Sequence, residues 1–316
     1  MTGYDPRFLG PDDALEVPLP VPVDDDGPPR ALRRLDHPRF SILLDPDRRL
    51  AAATACTVDG ENLQRLPRTG SWRLDDQALP DEQAGNELYR HNPLDRGHLV
   101  RRLDPMWGGV DEARQAGEAT FVYTNAAPQI DAFNQSKELW NGLEDHVLTF
   151  ADAHRHRIVV HTGCVFDPAD PVYRGIALPR RFWKVAAWAT AGTGQGADDG
   201  GTRPDVLRAA AFVLDQTPQL TDAELSTATG RALAAGNIPP LGPYRTFGVP
   251  VADLEVLTGL DLGPLVAADV LAPERRTAVG TGPAAEPAEP MRAGGPPPSG
   301  WTELTTPAEV GQLLAR

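Results

Sequence analysis

Leu94-Asp95-Arg96-Gly97-His98-Leu99, and further on Thr124-Asn125-Ala126-Ala127-Pro128-Gln129, are the stretches on which the reading of this chain turns. The second leads into Phe133-Asn134-Gln135, then Trp140 and Leu143-Glu144. A single histidine in a short polar segment is an ordinary structural feature. The second stretch changes its weight, because together they hold the parts for one kind of chemistry. Hydrolysis of a phosphodiester needs a base poised near neutral pH to deprotonate water, and imidazole is the default. It needs a cation to offset charge on the phosphate and the leaving oxygen. It needs oxygen donors for that cation, and a hard ion such as Mg²⁺ accepts an amide oxygen plus waters. His98, Asn134 and Glu144 supply these parts, and Arg96 can hold a phosphate oxygen.

Outward from this centre, the chain alternates apolar runs with turn residues. FSILL and LAAATACTV, separated by DPDRR, predict two strands within 39–58. Residues 60–94 read as mostly polar loop, and ATFVYT (119–124) as a buried strand followed by a loop. Leu139, Leu143 and Val147 recur at intervals of four and predict a helix over about 135–153. RIVVHTGCVF (157–166), RFWKVAAWAT (181–190) and AAAFVLD (209–215) predict three more strands. TDAELSTATGRALAAG suggests a polar helix or an irregular excursion, and 250–265 a helix with Asp253 at its cap.

These signals divide the chain into an N-terminal extended arm (1–38), a domain (39–275), a Pro/Gly-rich linker (276–300) and a short C-terminal helix (301–316). The composition, 41% hydrophobic and 23% charged, is that of a globular protein able to build a core. A net charge of −14 argues mildly against a nucleic-acid partner, yet a local basic groove and a divalent cation can supply the field where it is needed. Cys56 and Cys164 form no C-x-x-C pair and read as buried thiols in a reducing cytoplasm. No leader-like run opens the chain and no apolar stretch approaches ~20 residues, so a cytoplasmic protein with no membrane partner is expected.

The order DRGH, then N-x-x-P-Q-x-x-x-x-N, then W-x-x-L-E resembles the DNA/RNA non-specific endonuclease family over about residues 38–270, including VVHTGCVF, LPRRFWKV and EVLTGLDL. The resemblance implies an α+β, ββα-metal fold (a His-Me finger), with a central antiparallel or mixed sheet flanked by helices. It implies a Mg²⁺-dependent nuclease acting on DNA and/or RNA, Mn²⁺ being the alternative ion, with 5′-phosphate and 3′-hydroxyl products. In its terms His98 is the general base, Arg96 contacts phosphate and Asn134 is the metal ligand. Asn125 supports the histidine and its backbone, and Glu144 orients metal-bound water. Upstream arginines assist phosphate binding in such proteins, which makes Arg65 and Arg68 candidates, Arg68 being assigned to the substrate. Trp140 and Glu144 lie six and ten residues after Asn134, two more than in many members. Either Asn134 precedes the helix, or Glu138 supplies the carboxylate; Glu144 keeps the W-x-x-L-E context. Enzymes of this type often pair, so a homodimer is open.

Two rivals remain at this level: a catalytically weak nucleic-acid- or protein-binding module, and a toxin or defence nuclease held by an inhibitor or docking partner through the C-terminal tail. Arg174, Arg180, Arg181 and Lys184 could flank a groove, but some of them read more simply as edge-strand charges. His154, His156 and His161 lack a persuasive third metal ligand and read as surface residues. A dinucleotide fingerprint, a P-loop and a G-x-S-x-G elbow are absent.

Overall fold

A computed structural model describes residues 2–23, 30–130, 148, 151, 156–192, 204–218, 222–242, 245–272 and 297–316. Its frame is an eight-stranded sheet. The strands are β1 (Arg33–His37), β2 (Phe40–Asp45), β3 (Leu50–Asp59), β6 (Arg157–Val165), β7 (Arg181–Ala191), β8 (Asp205–Asp215), β9 (Arg245–Val249) and β10 (Thr302–Leu304). A separate antiparallel pair, β4 (Leu94–His98) and β5 (Ala126–Ile130), carries the two quoted stretches. The large sheet runs β10-β9-β8-β7-β6-β3-β2-β1, and every neighbouring pair is antiparallel.

Period-two alternation gives the sheet two buried faces. From β6, Ile158, Val160 and Cys164 enter one apolar cluster, while Val159 and Val165 enter the other. From β7, Phe182, Ala186 and Trp188 face the first, and Trp183, Val185 and Ala187 the second. The first cluster takes in Leu99, Val100, Val122 and Ala127, so the site described below is mounted on this face. Leu148 and Ala151, helical and buried against the same cluster, are the described positions of the helix expected over 135–153. Both cysteines are buried and unpaired.

The second face is covered from both ends of the chain. Tyr4, Phe8, Leu9, Leu15 and Val17 pack there with Trp301 and with Val251 and Leu254 of the helix Val251–Thr258. The stretch 1–38 is therefore draped on the sheet for much of its described length, and its end, β1, pairs with β2. The C-terminal segment adds β10 and the helix Pro307–Leu314, whose Val310, Leu313 and Leu314 enter the first cluster. The apolar side chains that suggested a docking element are thus spent on the chain's own core.

Other expectations need correction. ATFVYT is not a strand: the helix Val110–Ala119 ends there and a 3-10 turn, Tyr123–Asn125, follows. The strand begins one residue later, in what read as loop, because Ala126–Ile130 finds its partner in Leu94–His98. Asp253 does not cap its helix. Asp269 does, its carboxylate accepting from Val251 N at 2.9 Å, while Asp253 accepts from the Trp301 indole at 3.0 Å. Arg181 and Lys184 are buried on β7, an interior strand, so they are not edge charges; Arg181 pairs with Asp167 at 2.7 Å. Arg174 donates to the carbonyls of Glu87, Leu88 and Arg90. His161 is not a surface residue: it is buried against Tyr4, with ring centroids 5.5 Å apart. His154 lies outside the described residues.

The sheet contains one tight interior contact. The β2–β3 register shifts at Leu43/Leu44, where Leu43 pairs with Ala53 and Leu44 with Ala51. The skipped residue, Ala52, turns its carbonyl toward Gly163 on β6, and a Cβ there would sit 2.0 Å from that oxygen and 2.7 Å from the Trp183 indole nitrogen. Gly163→Ala is therefore expected to cost about 1–3 kcal/mol through overpacking against backbone. Urea unfolding of the two proteins measures this, and an unchanged midpoint would contradict it.

Candidate active site

In the β4–β5 pair, Asp95 lies opposite Gln129, Arg96 opposite Pro128, Gly97 opposite Ala127 and His98 opposite Ala126. Arg96 and His98, two apart on a strand, project to the same face. Between them only a hydrogen fits: a Cβ on Gly97 would lie 2.1 Å from the Gln129 side-chain amide. The glycine of DRGH thus serves the neighbouring strand's glutamine.

Beyond His98 the chain is clamped. Asn125 is fully buried. Its Oδ1 accepts from Val100 N at 2.8 Å, and its Nδ2 donates to the carbonyls of Val100 and Thr120, both at 2.9 Å. Its own carbonyl accepts from Leu99 N at 3.0 Å. The preceding Thr124 donates to Asp75 Oδ2 at 2.7 Å, which also meets His37 Nε2 at 2.9 Å. Burial pushes the Asp75 carboxyl up, but the hydrogen bonds from His37 and Thr124 outweigh it and hold that group below its usual range.

The imidazole of His98 is walled by rings. Trp72 lies 4.5 Å away between centroids, and Phe121 stands perpendicular at 4.9 Å. Its Nε2 is buried with no hydrogen-bond partner among the described residues. Burial first, then the positive charges of Arg68 and Arg102, push its pKa down from 6.5 to about 3. At neutral pH the ring is therefore uncharged and has a lone pair to offer.

Arg96 is held by a 2.6 Å hydrogen bond to Asn86 Oδ1, on the short helix Asn86–Tyr89. Its guanidinium lies 5.2 Å from the Tyr89 ring centroid and 5.9 Å from that of Tyr123. Its Nε has no partner among the described residues. Both side chains open into a cavity of about 470 Å³ lined by Arg68, Trp72, Asp95, Arg96, His98, Arg101, Arg102, Phe121 and Gln129, with Gly97 in its floor. Among the described residues four guanidinium groups and one carboxylate line it, so the described lining is cationic although the chain carries −14.

The structure thus brings together His98, Arg96 and Arg68, with Asn125 behind them. Arg65 does not line the cavity. Asn134, Glu138 and Glu144 lie outside the described residues. Among the described residues no group of three His, Cys, Asp or Glu side chains is arranged to hold a metal. A Mg²⁺ ion that keeps most of its waters asks for only one or two protein oxygens. The amide and carboxylate that the sequence places after Gln129 are donors of that hard kind. His98 Nε2, without a hydrogen-bond partner among the described residues, lies beside a cleft wide enough for hydrated groups. Sequence reasoning gave no role to Trp72, Phe121, Arg101 or Arg102, and quoted Gln129 only as part of its motif. Arg101 and Arg102 follow DRGHLV directly and were visible; the aromatic pair had no local signal.

The described site is a paired antiparallel unit that presents one imidazole and one arginine into an arginine-lined cleft, on an α+β frame. The chain belongs to the DNA/RNA non-specific endonuclease family, whose sequence profile matches residues 26–269. It is 38% identical over 204 residues to uncharacterized protein y4fB of Sinorhizobium fredii, which takes in 58% of this chain and 30% of that protein. It is 28% identical over 137 residues to human mitochondrial endonuclease G, covering 40% of this chain and 43% of that protein. The chain thus spans less than half the length of either relative. A crystal structure of an EndoG/EndoGI complex aligns with a TM-score of 0.49 at 19% identity, covering 74% of this chain and 87% of the other.

Asn125→Ala would leave the N–H and C=O of Val100 and the C=O of Thr120 buried without their partners. Each orphaned group costs about 1–3 kcal/mol, so a loss of at least ~2 kcal/mol is expected in chemical denaturation. A smaller loss would mean that water or a shifted backbone replaces the clamp.

Proposed function

We propose that this protein is a Mg²⁺-dependent endonuclease that hydrolyses phosphodiester bonds of DNA and/or RNA, with His98 as the general base. The observation that carries the reading is His98, uncharged and with a buried nitrogen that has no partner among the described residues, at the wall of an arginine-lined cleft. Asn134 would hold the ion, with Glu144 orienting its water, and Mn²⁺ is the alternative metal. Bound there, the cation supplies positive charge to the scissile phosphate and the leaving oxygen.

Arg96, braced by Asn86 and the Tyr89 ring, offers N–H groups to a nonbridging phosphate oxygen. His98 Nε2 takes a proton from water as the oxygen of that water bonds to phosphorus. The bond from phosphorus to the 3′ oxygen breaks, that oxygen gains a proton from solvent, and a 5′-phosphate and a 3′-hydroxyl remain. Trp72 and Phe121 keep the imidazole desolvated and fixed in orientation. Asn125 fixes the backbone on which the base stands. Little sequence preference follows from a cleft of guanidinium groups aimed at phosphate, since phosphate contacts carry no base information.

Plasmid nicking with Mg²⁺ is expected in the wild type, to be abolished by chelator and lowered by at least ~10²-fold in His98→Ala, the scale of a lost general base. Cleavage that persists in both would exclude the mechanism. The pH profile supplies a second check. With its pKa depressed to about 3 in the unliganded protein, His98 stays deprotonated as the pH falls through 6.5. The acid limb of kcat/KM is therefore expected below pH 6.5, the ordinary imidazole value. A limb centred at or above 6.5 would show that the base is solvated or is another group.

A further inference from the structure

Arg174 stands in an unusual backbone position. With Gly175 it makes the two-residue turn of a small hairpin, Val172–Tyr173 paired with Ile176–Ala177. Both turn residues have positive φ, 52° for Arg174 and 79° for Gly175. Turns of this kind ordinarily take Asn, Asp or Gly. An arginine held in the left-handed region points to a task for its side chain.

That task is visible in its contacts. One terminal nitrogen, Nη1, donates to the carbonyls of Glu87, Leu88 and Arg90, at 2.8, 3.3 and 2.7 Å. These lie at the C-terminal end of Asn86–Tyr89, a helix of a single turn. One turn does not hold itself in water, because fixing its dihedrals costs more than its few hydrogen bonds return. Its last carbonyls lack partners within the turn, and a cation is the group they favour. The turn is held instead from both ends. At its start Glu87 pairs with Arg49 at 3.0 Å and accepts from Gly85 N at 3.0 Å. At its finish stand Arg174 and Asn92, whose Nδ2 donates to the Leu88 carbonyl at 2.7 Å. Tyr173 and Ile176 of the hairpin share an apolar cluster with Leu88 and Tyr89, so the hairpin is seated on the turn that it caps.

The turn in its own right supports Arg96. Asn86 Oδ1 accepts from Arg96 Nη2 at 2.6 Å, and the Tyr89 ring lies 5.2 Å from the guanidinium. Arg174 is exposed and is not among the described residues that line the cleft, so its reach to the site runs through the turn. We propose that Arg174 is a positioning residue: by holding the carbonyl end of Asn86–Tyr89 it fixes Asn86 and the Tyr89 ring, and through them the direction in which Arg96 faces the cleft. This rests on the nuclease reading, in which Arg96 meets a substrate phosphate, and adds to it an outlying arginine that acts without touching substrate.

The test is a double-mutant cycle on the full chain, read as affinity for a labelled single-stranded oligonucleotide in chelator, where nothing is cleaved. Arg96→Gln is expected to weaken binding on the order of tenfold, the scale of one lost charge-assisted contact. Arg174→Gln is expected to weaken it by about threefold, since Asn86 and Tyr89 stay in place but are less firmly held. The double variant should bind within about twofold of Arg96→Gln alone, because residues that act through one another are not additive. Arg174→Lys should recover most of the loss, as an ammonium can also donate to the end of a helix, and it keeps the test open should Arg174→Gln fold poorly. Additive losses, roughly thirtyfold in the double variant, would make Arg174 an independent contact or a distant charge and would overturn the proposal. So would an Arg174→Gln protein of wild-type affinity, or a wild type whose binding is absent or unmoved by Arg96→Gln. A protein that shows the coupling yet fails to nick plasmid with Mg²⁺ would overturn the nuclease mechanism and leave the positioning role standing. Additive losses in a protein that nicks would do the reverse.

Discussion

Three hydrogen bonds from one buried amide hold the site together. Asn125 spans from the end of one strand to the start of its neighbour, bonding both polar groups of Val100 and the carbonyl of Thr120. Leu99 and Val100 are buried in the core, so the amide transmits the rigidity of the sheet to the residue just before them, His98. A general base must meet its water within hydrogen-bond reach, and small displacements are costly. For the base proposed at His98, the clamp would supply that placement without using the ring nitrogens.

The second constraint is electrical. An imidazole among arginines and aromatic rings is disfavoured as a cation, both because it is desolvated and because it would add charge to a cationic cleft. The same surroundings suit a polyanion. One arrangement would thus keep the proposed base in its accepting form and draw in the negatively charged group on which it is proposed to act. The global charge of −14 is no obstacle, because a field is felt locally where low-dielectric walls focus it.

Burial of the chain's two ends gives the frame its breadth. Tyr4, Phe8 and Val17 from one end and Trp301 from the other cover the sheet face opposite the site. The strand Thr302–Leu304 and its helix complete an edge and part of the site-side core. These segments lie outside the stretch matched by the family profile, yet they bury apolar surface that would otherwise be exposed.

Much of this was legible in the residues themselves. Continuous apolar runs bounded by turn residues marked five of the eight sheet strands, since each carries that signal in its own residues, and the DRGH and N-x-x-P-Q stretches marked His98, Arg96 and Asn125. Other features depended on partners distant in the chain. Ala126–Ile130 reads as loop until Leu94–His98 lies beside it, because a strand of AAPQI has little propensity of its own and gains its hydrogen bonds only from the pairing. Lys184 looked like an edge charge, and only sheet order places it inside. The aromatic wall of Trp72 and Phe121 joins residues 49 apart in number. The sequence by itself determined which groups could do chemistry, because reactivity belongs to residue type and short spacing. Only the fold set the His98 ring between Trp72 and Phe121 with arginines around it, because desolvation and charge–charge distance depend on which distant residues are brought near.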